Sequence, residues 1–119
     1  MTTLYGIKNC DTVRKARRWL KEQDIDYHFH DLRDDGLDGK LLDSWLTQLD
    51  RALLLNRRGT TWRNLPATVR DSLDDGSARQ LMLEHPALVK RPVLDHRQQF
   101  HLGFSPERYT EIFRQDTAR

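Results

Sequence analysis

Cysteine is almost absent from this sequence, because Cys10 is the only one among its 119 residues. One cysteine cannot close an intramolecular disulfide, and a chain of this length can bury a hydrophobic core without such a staple. Scarce cysteine is typical of proteins kept in a reducing compartment. We therefore expect a cytoplasmic protein.

Long apolar runs are absent as well. No stretch approaches the roughly 18 apolar residues that a membrane-spanning helix needs, and the first residues lack the apolar segment of a secretory signal. Internal repeats and low-complexity segments are not visible. These absences predict a protein without a membrane partner, folded as one domain over residues 1–119.

A strong excess of either charge is the third absence. Lysine and arginine together number 20, aspartate and glutamate 18, and the formal net charge is +2. Proteins that bind nucleic acids usually carry a clear positive excess. This balance therefore gives little reason to expect a nucleic-acid partner.

What the sequence does contain is a change of period around its one cysteine. Leu4, Tyr5 and Ile7 supply side chains typical of a strand. After Cys10 the apolar residues recur at helical spacing, at Val13, Ala16 and Leu20. Cys10 is therefore expected at a strand–loop–helix junction, next to the unpaired N–H groups and the positive dipole end of the helix. Both features stabilise a thiolate, the nucleophilic form of cysteine.

The neighbours of the cysteine fit this interpretation. Lys8, Arg14 and Lys15 bring positive charge close to the thiol, and Thr12 can offer it a hydroxyl group. Asp11 opposes a thiolate unless its own charge is spent on the helix N–H groups. The alternative is a buried structural cysteine, which is the usual fate of a lone one. The junction and the nearby cations favour a nucleophile instead.

The remaining pattern predicts the element order β-α-β, a block of helices, and then β-β-α. Two strands joined by a helix favour parallel pairing, and the last two strands read as a hairpin. Asp38 and Ser105 are expected to cap helices. Asp-Asp-Gly at residues 74–76 is typical of a turn, and Ser77 with Gln80 is expected to form a capping box that opens the next helix.

Two motifs carry a family resemblance. Residues 5–16 read Tyr-Gly-Ile-Lys-Asn-Cys-Asp-Thr-Val-Arg-Lys-Ala, and far downstream residues 81–86, Leu-Met-Leu-Glu-His-Pro, precede residues 89–94, Val-Lys-Arg-Pro-Val-Leu. The first resembles the active-site stretch of the arsenate-reductase/Spx (ArsC-like) family, most of all its YffB-type branch. The second resembles the helix-His-Pro segment of that family and its Arg-Pro strand. The resemblance covers residues 3–113.

This resemblance implies an α/β, thioredoxin-like fold with a four-stranded mixed sheet. The single domain would carry a helical insert over about residues 37–88. The resemblance also implies a cis peptide bond before Pro92, facing Cys10. The guanidinium of Arg91 would then lie beside the thiolate, where it could hold an anionic group through two hydrogen bonds.

Two departures from the family pattern shape the functional expectation. Val13 stands where Spx-type members carry a second cysteine, so Cys10 must act as a monothiol and an external thiol must resolve its adducts. The further arginine that arsenate reductases carry after the hairpin is missing from residues 102–106, which argues against arsenate as the substrate. Arg58, or Arg57 next to it, resembles the arginine that the family contributes from its helical insert.

The sequence therefore favours a glutathione-dependent thiol-disulfide reductase with Cys10 and Arg91 as catalytic residues. The groups expected to bind substrate or glutathione are Lys8, Asn9, Thr12, Arg14, Arg57, Arg58 and Pro92. We expect no bound cofactor and no metal, with glutathione as co-substrate, an oxidised small molecule or protein as substrate, glutaredoxin as a further partner, and a monomer. Two alternatives stay open: an arsenate reductase coupled to glutathione and glutaredoxin, and a non-enzymatic Spx-like regulator that binds RNA polymerase.

Overall fold

The computed structural model describes residues 2–114, which form a sheet of four strands and seven α-helices. Two compact units divide this part of the chain: residues 2–31 with 91–114, and Leu32–Lys90. Among the described helices, none is both long enough and apolar enough to cross a bilayer. The organisation as one domain with an insert stays a prediction.

The first unit contains the whole sheet. Its elements in chain order are β1 (Thr2–Gly6), α1 (Asp11–Glu22), β2 (His28–Asp31), β3 (Val93–His96), β4 (Gln99–Leu102) and α7 (Pro106–Arg114). The strand order is β2-β1-β3-β4, with β1 parallel to β2 and antiparallel to β3, and with β3 antiparallel to β4. The four-stranded mixed sheet predicted above is thus confirmed.

One face of the sheet is covered by α1 and α7. Leu4 and Leu94 from the strands pack with Leu20 of α1 and Tyr109 of α7, and all four are fully buried. The ring of Trp19 meets Tyr109 edge to face, with the ring centroids 5.7 Å apart. The apolar stripe predicted after Cys10 is confirmed, because Val13, Ala16 and Leu20 form the buried face of α1.

The ends of these elements follow local rules. The β3–β4 hairpin turns through Arg97 and Gln98, both with positive φ, as a two-residue type I′ turn requires. The Ser105 hydroxyl oxygen accepts a hydrogen bond from the N–H of Arg108 at 3.1 Å, which confirms Ser105 as the cap of α7.

The second unit is helical. Its elements are α2 (Gly39–Leu46), α3 (Arg51–Leu54), α4 (Thr60–Arg63), α5 (Ala67–Asp71), α6 (Asp75–Glu84) and a 3₁₀ turn (Pro86–Leu88). A carboxylate oxygen of Asp38 accepts from the N–H of Leu41 at 2.8 Å, so the predicted cap of α2 is confirmed. An isolated antiparallel bridge between Leu55 and Val89 joins the segment after α3 to the segment after the 3₁₀ turn within this unit.

The predicted start of α6 is wrong by one turn. The capping box is formed by Asp74 and Ser77, not by Ser77 and Gln80: Asp74 accepts from the Ser77 N–H at 2.8 Å, and the Ser77 hydroxyl accepts from the Asp74 N–H at 3.0 Å. Residues 75 and 76 consequently belong to the first turn of the helix, not to a turn before it. An aspartate is as good an N-cap as a serine, so spacing alone could not choose between the two boxes.

Candidate functional site

Cys10 is the N-cap residue of α1. Its backbone is extended, with φ −111° and ψ 125°, and its carbonyl accepts the first helical hydrogen bond from the N–H of Arg14 at 2.9 Å. Within the described part of the chain, the thiol makes no capping hydrogen bond, and the residue is partly exposed. The predicted junction is therefore confirmed, and the sulfur lies where the unpaired N–H groups of the first turn begin.

Gly6 allows α1 to approach the end of β1. A Cβ atom at this position would lie 2.7 Å from Cγ2 and 2.9 Å from Cγ1 of Val13, far inside normal contact distance. Val13 itself is fully buried. The close approach of helix and strand sets the place of the loop between them, and so the place of Cys10.

The charged groups on the first turn of α1 are already paired with one another. A guanidinium nitrogen of Arg14 donates to a carboxylate oxygen of Asp11, and both side chains are largely exposed. The carboxylate that opposes a thiolate at Cys10 is thus partly neutralised by a cation from the same helix. Lys8, Asn9 and Thr12 are exposed around the cysteine.

A buried carboxylate lies next to this loop. Asp31, the last residue of β2, is only 4% exposed, and one of its carboxylate oxygens accepts a hydrogen bond from the backbone N–H of Lys8 at 3.2 Å. No motif in the sequence singles out this residue. The only local signal was an acidic residue at the end of a strand, which is not distinctive.

Arg91 and Pro92 lie at the end of the sheet that carries Cys10. The peptide bond between them is cis, as the family resemblance implied. Val93 follows them directly and pairs with Tyr5 near the end of β1. Pro92 is buried, and its carbonyl accepts from the N–H of Gly103 at 2.8 Å. The Nε atom of Arg91 is also buried. The sheet therefore brings two of the predicted site segments to one end.

A cation that sequence reasoning missed lies near the same end. Arg108, in the first turn of α7, donates from its guanidinium to the carbonyl oxygen of Leu102 at 2.6 Å, and Leu102 pairs with Val93. Burial lowers the pKa of His101, and the positive charge of Arg108 lowers it further. Residues 102–106 lack arginine as noted above, but the helix that follows them supplies a guanidinium to that segment.

Arg57 and Arg58 belong to the other compact unit. The Arg57 guanidinium carbon lies 5.5 Å from the centre of the Trp62 ring, a cation–π arrangement. The backbone of Arg58 is held on both sides: its N–H donates to Asn56 at 3.1 Å, and its carbonyl accepts from Arg63 at 2.8 Å. Both arginines are exposed. Their convergence with Cys10 stays a prediction.

Of the two histidines of β2, His30 packs against a neighbouring aromatic ring. The rings of His30 and Tyr5 lie 5.0 Å apart between their centroids, and burial together with the charge of Asp95 raises the pKa of Tyr5. Among residues 2–114, no three or more histidine, cysteine, aspartate or glutamate side chains are grouped so that they could hold a metal ion.

Comparison with known proteins relates this geometry to a family. The family model described as "ArsC family" matches residues 5–112. The solved structure of the YFFB protein is 41% identical with a TM-score of 0.88, over 93% of this chain and 97% of that one. An arsenate reductase (ArsC) related protein from Brucella melitensis is 51% identical with a TM-score of 0.77, over 94% and 93%. The global transcriptional regulator Spx 2 of Bacillus cereus is 28% identical, over 90% of this chain and 82% of the regulator.

Proposed function

This chain belongs to the ArsC family, and we propose that it acts there as a glutathione-dependent thiol-disulfide reductase with Cys10 as its single nucleophile. The observation that supports this most is the position of Cys10 at the N-cap of α1. A thiolate at that position interacts favourably with the helix N–H groups and dipole. We expect it to act in a reducing cytoplasm, where reduced glutathione is available.

The proposed reaction consists of two thiol–disulfide exchanges. First, the Cys10 thiolate attacks the glutathionyl sulfur of a mixed disulfide. A disulfide between Cys10 and glutathione forms, the old S–S bond breaks, and the substrate leaves as a thiolate that takes a proton from water. Second, the thiolate of another glutathione attacks the sulfur bound to Cys10, which yields oxidised glutathione and the Cys10 thiolate. Glutathione supplies both electrons.

Positively charged groups would hold the glutathione in this scheme. Glutathione carries two carboxylates, and the planar guanidinium of Arg91 suits a bidentate pair with one of them while its charge also stabilises the thiolate. The other residues proposed to contact the substrate or glutathione are Lys8, Asn9, Thr12, Arg14, Arg57, Arg58 and Pro92. Because Arg14 already pairs with Asp11, it would share its charge between that carboxylate and the ligand.

The test of the nucleophile is the reduction of a glutathionylated peptide by glutathione, followed as NADPH oxidation in the presence of glutathione reductase. We expect turnover with the wild-type protein and none with Cys10→Ser, because a serine hydroxyl does not ionise near neutral pH. The near-isosteric change should leave thermal unfolding unchanged. Turnover by a folded Cys10→Ser variant would refute the mechanism, and a wild-type protein without turnover would refute the glutathione assignment.

The test of Arg91 is the substitution Arg91→Met. A hydrogen bond to a charged group contributes about 1.5–3 kcal/mol, so kcat/KM should fall about tenfold or more. Arg97→Met is the matched control, because it removes the same charge from the hairpin turn at the opposite end of the sheet, beyond the pairing of Thr2 with His96. Equal losses in both variants would indicate a general charge effect and contradict a specific role for Arg91.

Arsenate reduction is a second candidate, which the guanidinium of Arg108 beside Leu102 favours. A dianionic oxyanion needs several cations around it, and Arg108 offers one close to the segment where the sequence lacks an arginine. The discriminating measurement is arsenate-dependent NADPH oxidation with glutathione, glutaredoxin and glutathione reductase. Arsenate-dependent activity in the wild-type protein that disappears in Arg108→Gln would favour arsenate reduction over the reduction of glutathione mixed disulfides.

A regulator that binds RNA polymerase is the third candidate, which the similarity to Spx 2 favours. Its prediction is a polymerase complex formed by the purified protein, together with an absence of glutathione-dependent turnover. Cys10→Ser should then bind polymerase as well as wild-type protein does, since Val13 replaces the second cysteine of the redox switch in Spx-type members.

A further inference from the structure

The carboxylate of Asp31 is the feature of this site that the proposed reaction leaves unexplained. Asp31 ends β2 and is 4% exposed, and it pairs with Gly6 in the parallel ladder at the end of β1. Aspartate is seldom buried so completely unless specific partners satisfy it. Asp31 lies at the carboxyl ends of the two parallel strands, and the loop that leads to Cys10 starts at this same end of β1.

One partner of this carboxylate is the backbone of that loop. The N–H of Lys8 donates to a carboxylate oxygen of Asp31 at 3.2 Å. A carboxylate oxygen, like the oxygen of a side-chain amide, accepts a hydrogen bond from a backbone N–H. The two residues are 23 positions apart in the sequence, so this hydrogen bond connects the loop to strand β2 and not only to residues adjacent in the chain.

The hydrogen bond to Asp31 restrains the backbone that positions the Cys10 thiol. Lys8 and Asn9 form the exposed turn between β1 and α1, and the N–H of Cys10 closes that turn by donating to the carbonyl of Ile7 at 3.3 Å. Both hydrogen bonds use the Ile7–Lys8 peptide group, because its N–H donates to Asp31 and its carbonyl accepts from the Cys10 N–H. The direction of the Cys10 Cα–Cβ bond follows from this geometry.

We propose that Asp31 is a positioning residue for Cys10, acting through the Lys8 N–H. The proposal rests on the proposed function only in taking Cys10 as the nucleophile. Exchange between sulfur atoms requires an aligned attack, and a small misplacement of a reacting group slows such a step strongly. The carboxylate acts as a hydrogen-bond acceptor and not through its charge, because a negative charge near the sulfur would oppose the thiolate.

Two substitutions at Asp31 separate these roles. Asp31→Asn keeps a side-chain oxygen that can accept from Lys8 but removes the charge, whereas Asp31→Ala removes both. Asp26→Ala is the control, because it deletes an exposed carboxylate from the segment just before β2. The readout is the rate constant for single-turnover reaction of Cys10 with the aromatic disulfide 5,5′-dithiobis(2-nitrobenzoate), at a temperature where all variants are folded.

We expect the rate constant of Asp31→Asn to stay within about twofold of wild type, and that of Asp31→Ala to fall by about tenfold or more. Asp26→Ala should react like wild type. Rescue by asparagine is the result that a merely structural carboxylate would not produce. A folded Asp31→Ala that reacts at the wild-type rate, or an Asp31→Asn that is as slow as Asp31→Ala, would overturn the proposal.

Amide hydrogen exchange in the wild-type protein provides a second measurement that needs no variant. The Lys8 N–H should exchange more slowly than the N–H of Asn9 in the same turn. Equal rates would overturn the proposal even if Asp31→Ala did not fold. Because neither experiment uses glutathione, their outcome is independent of whether wild-type protein turns over with glutathione.

Discussion

The close approach of α1 to the end of β1 leads to a quantitative prediction for Gly6→Ala. The new methyl group would lie 2.7 Å and 2.9 Å from the two Cγ atoms of Val13. Overpacking of this kind costs about 1–3 kcal/mol, while replacing glycine restricts the unfolded chain and returns about 0.4–1 kcal/mol. Subtracting the lower return from the lower cost and the higher return from the higher cost leaves an expected net destabilisation of roughly 0.6–2 kcal/mol.

The double substitution Gly6→Ala with Val13→Ala tests the cause of that loss. Val13→Ala alone should cost about 2 kcal/mol, since two buried carbons are removed and a small cavity remains. In the double variant the clash is gone and the new methyl fills part of the space. The free energy of unfolding of the double variant should be higher, by about 1 kcal/mol or more, than the value obtained by adding the losses of the two single variants.

Urea and thermal unfolding measure these differences, with a change in Tm of roughly 4 °C for each kcal/mol. Gly76→Ala is the matched control: there the added Cβ would meet a carboxylate oxygen of Asp74 at an ordinary 3.6 Å, and an alanine inside α6 should be neutral or stabilise by up to about 1 kcal/mol. Additive effects in the double variant, or a Gly6→Ala variant as stable as wild type, would refute the packing argument.

Two further predictions concern titratable groups whose pKa burial shifts, Tyr109 and His101. Tyr109→Phe removes the hydroxyl that donates to Gly103 at 3.3 Å, and should cost about 0.5–1.5 kcal/mol in urea unfolding at neutral pH. Burial also raises the pKa of Tyr109, so the stability of the wild-type protein should fall as the pH rises above about 10. The fall should be smaller in Tyr109→Phe, which has no hydroxyl to ionise. An equal loss of stability at alkaline pH in both proteins would contradict this prediction. Arg108→Gln should raise the lowered pKa of His101 towards its ordinary value of about 6.5, as measured by NMR titration. Because burial favours the neutral ring, wild-type stability should decline below that pH, and an unchanged titration would exclude a charge effect of Arg108.

Local sequence was enough to predict the helix that follows Cys10. Val13, Ala16 and Leu20 repeat at the helical period, and the same three residues are the buried face of α1. Asp38 and Ser105 were predicted as caps for an equally local reason, since a capping side chain bonds to N–H groups only two or three residues away. The capping box of α6 was misplaced because two candidate boxes overlap there and both satisfy the same spacing rule.

The motif around Cys10, together with the Arg-Pro segment, was enough to indicate the family, and with it the mixed sheet and the cis bond before Pro92. That information came from resemblance and not from physical periodicity. The predicted convergence of Arg57 or Arg58 with Cys10 illustrates the limit, because no local pattern states which of two adjacent exposed arginines faces a distant residue.

The amino-acid sequence by itself thus determined the first helix with its buried stripe and the caps Asp38 and Ser105. Only the tertiary structure decided that Asp31 meets the Lys8 peptide and that Arg108 reaches the carbonyl of Leu102. The physical reason is that side-chain spacing reports the period of one helix or strand at a time. Contacts between separate elements depend on strand pairing, on register and on how closely a helix can approach the sheet, and these follow from the packing of the whole unit.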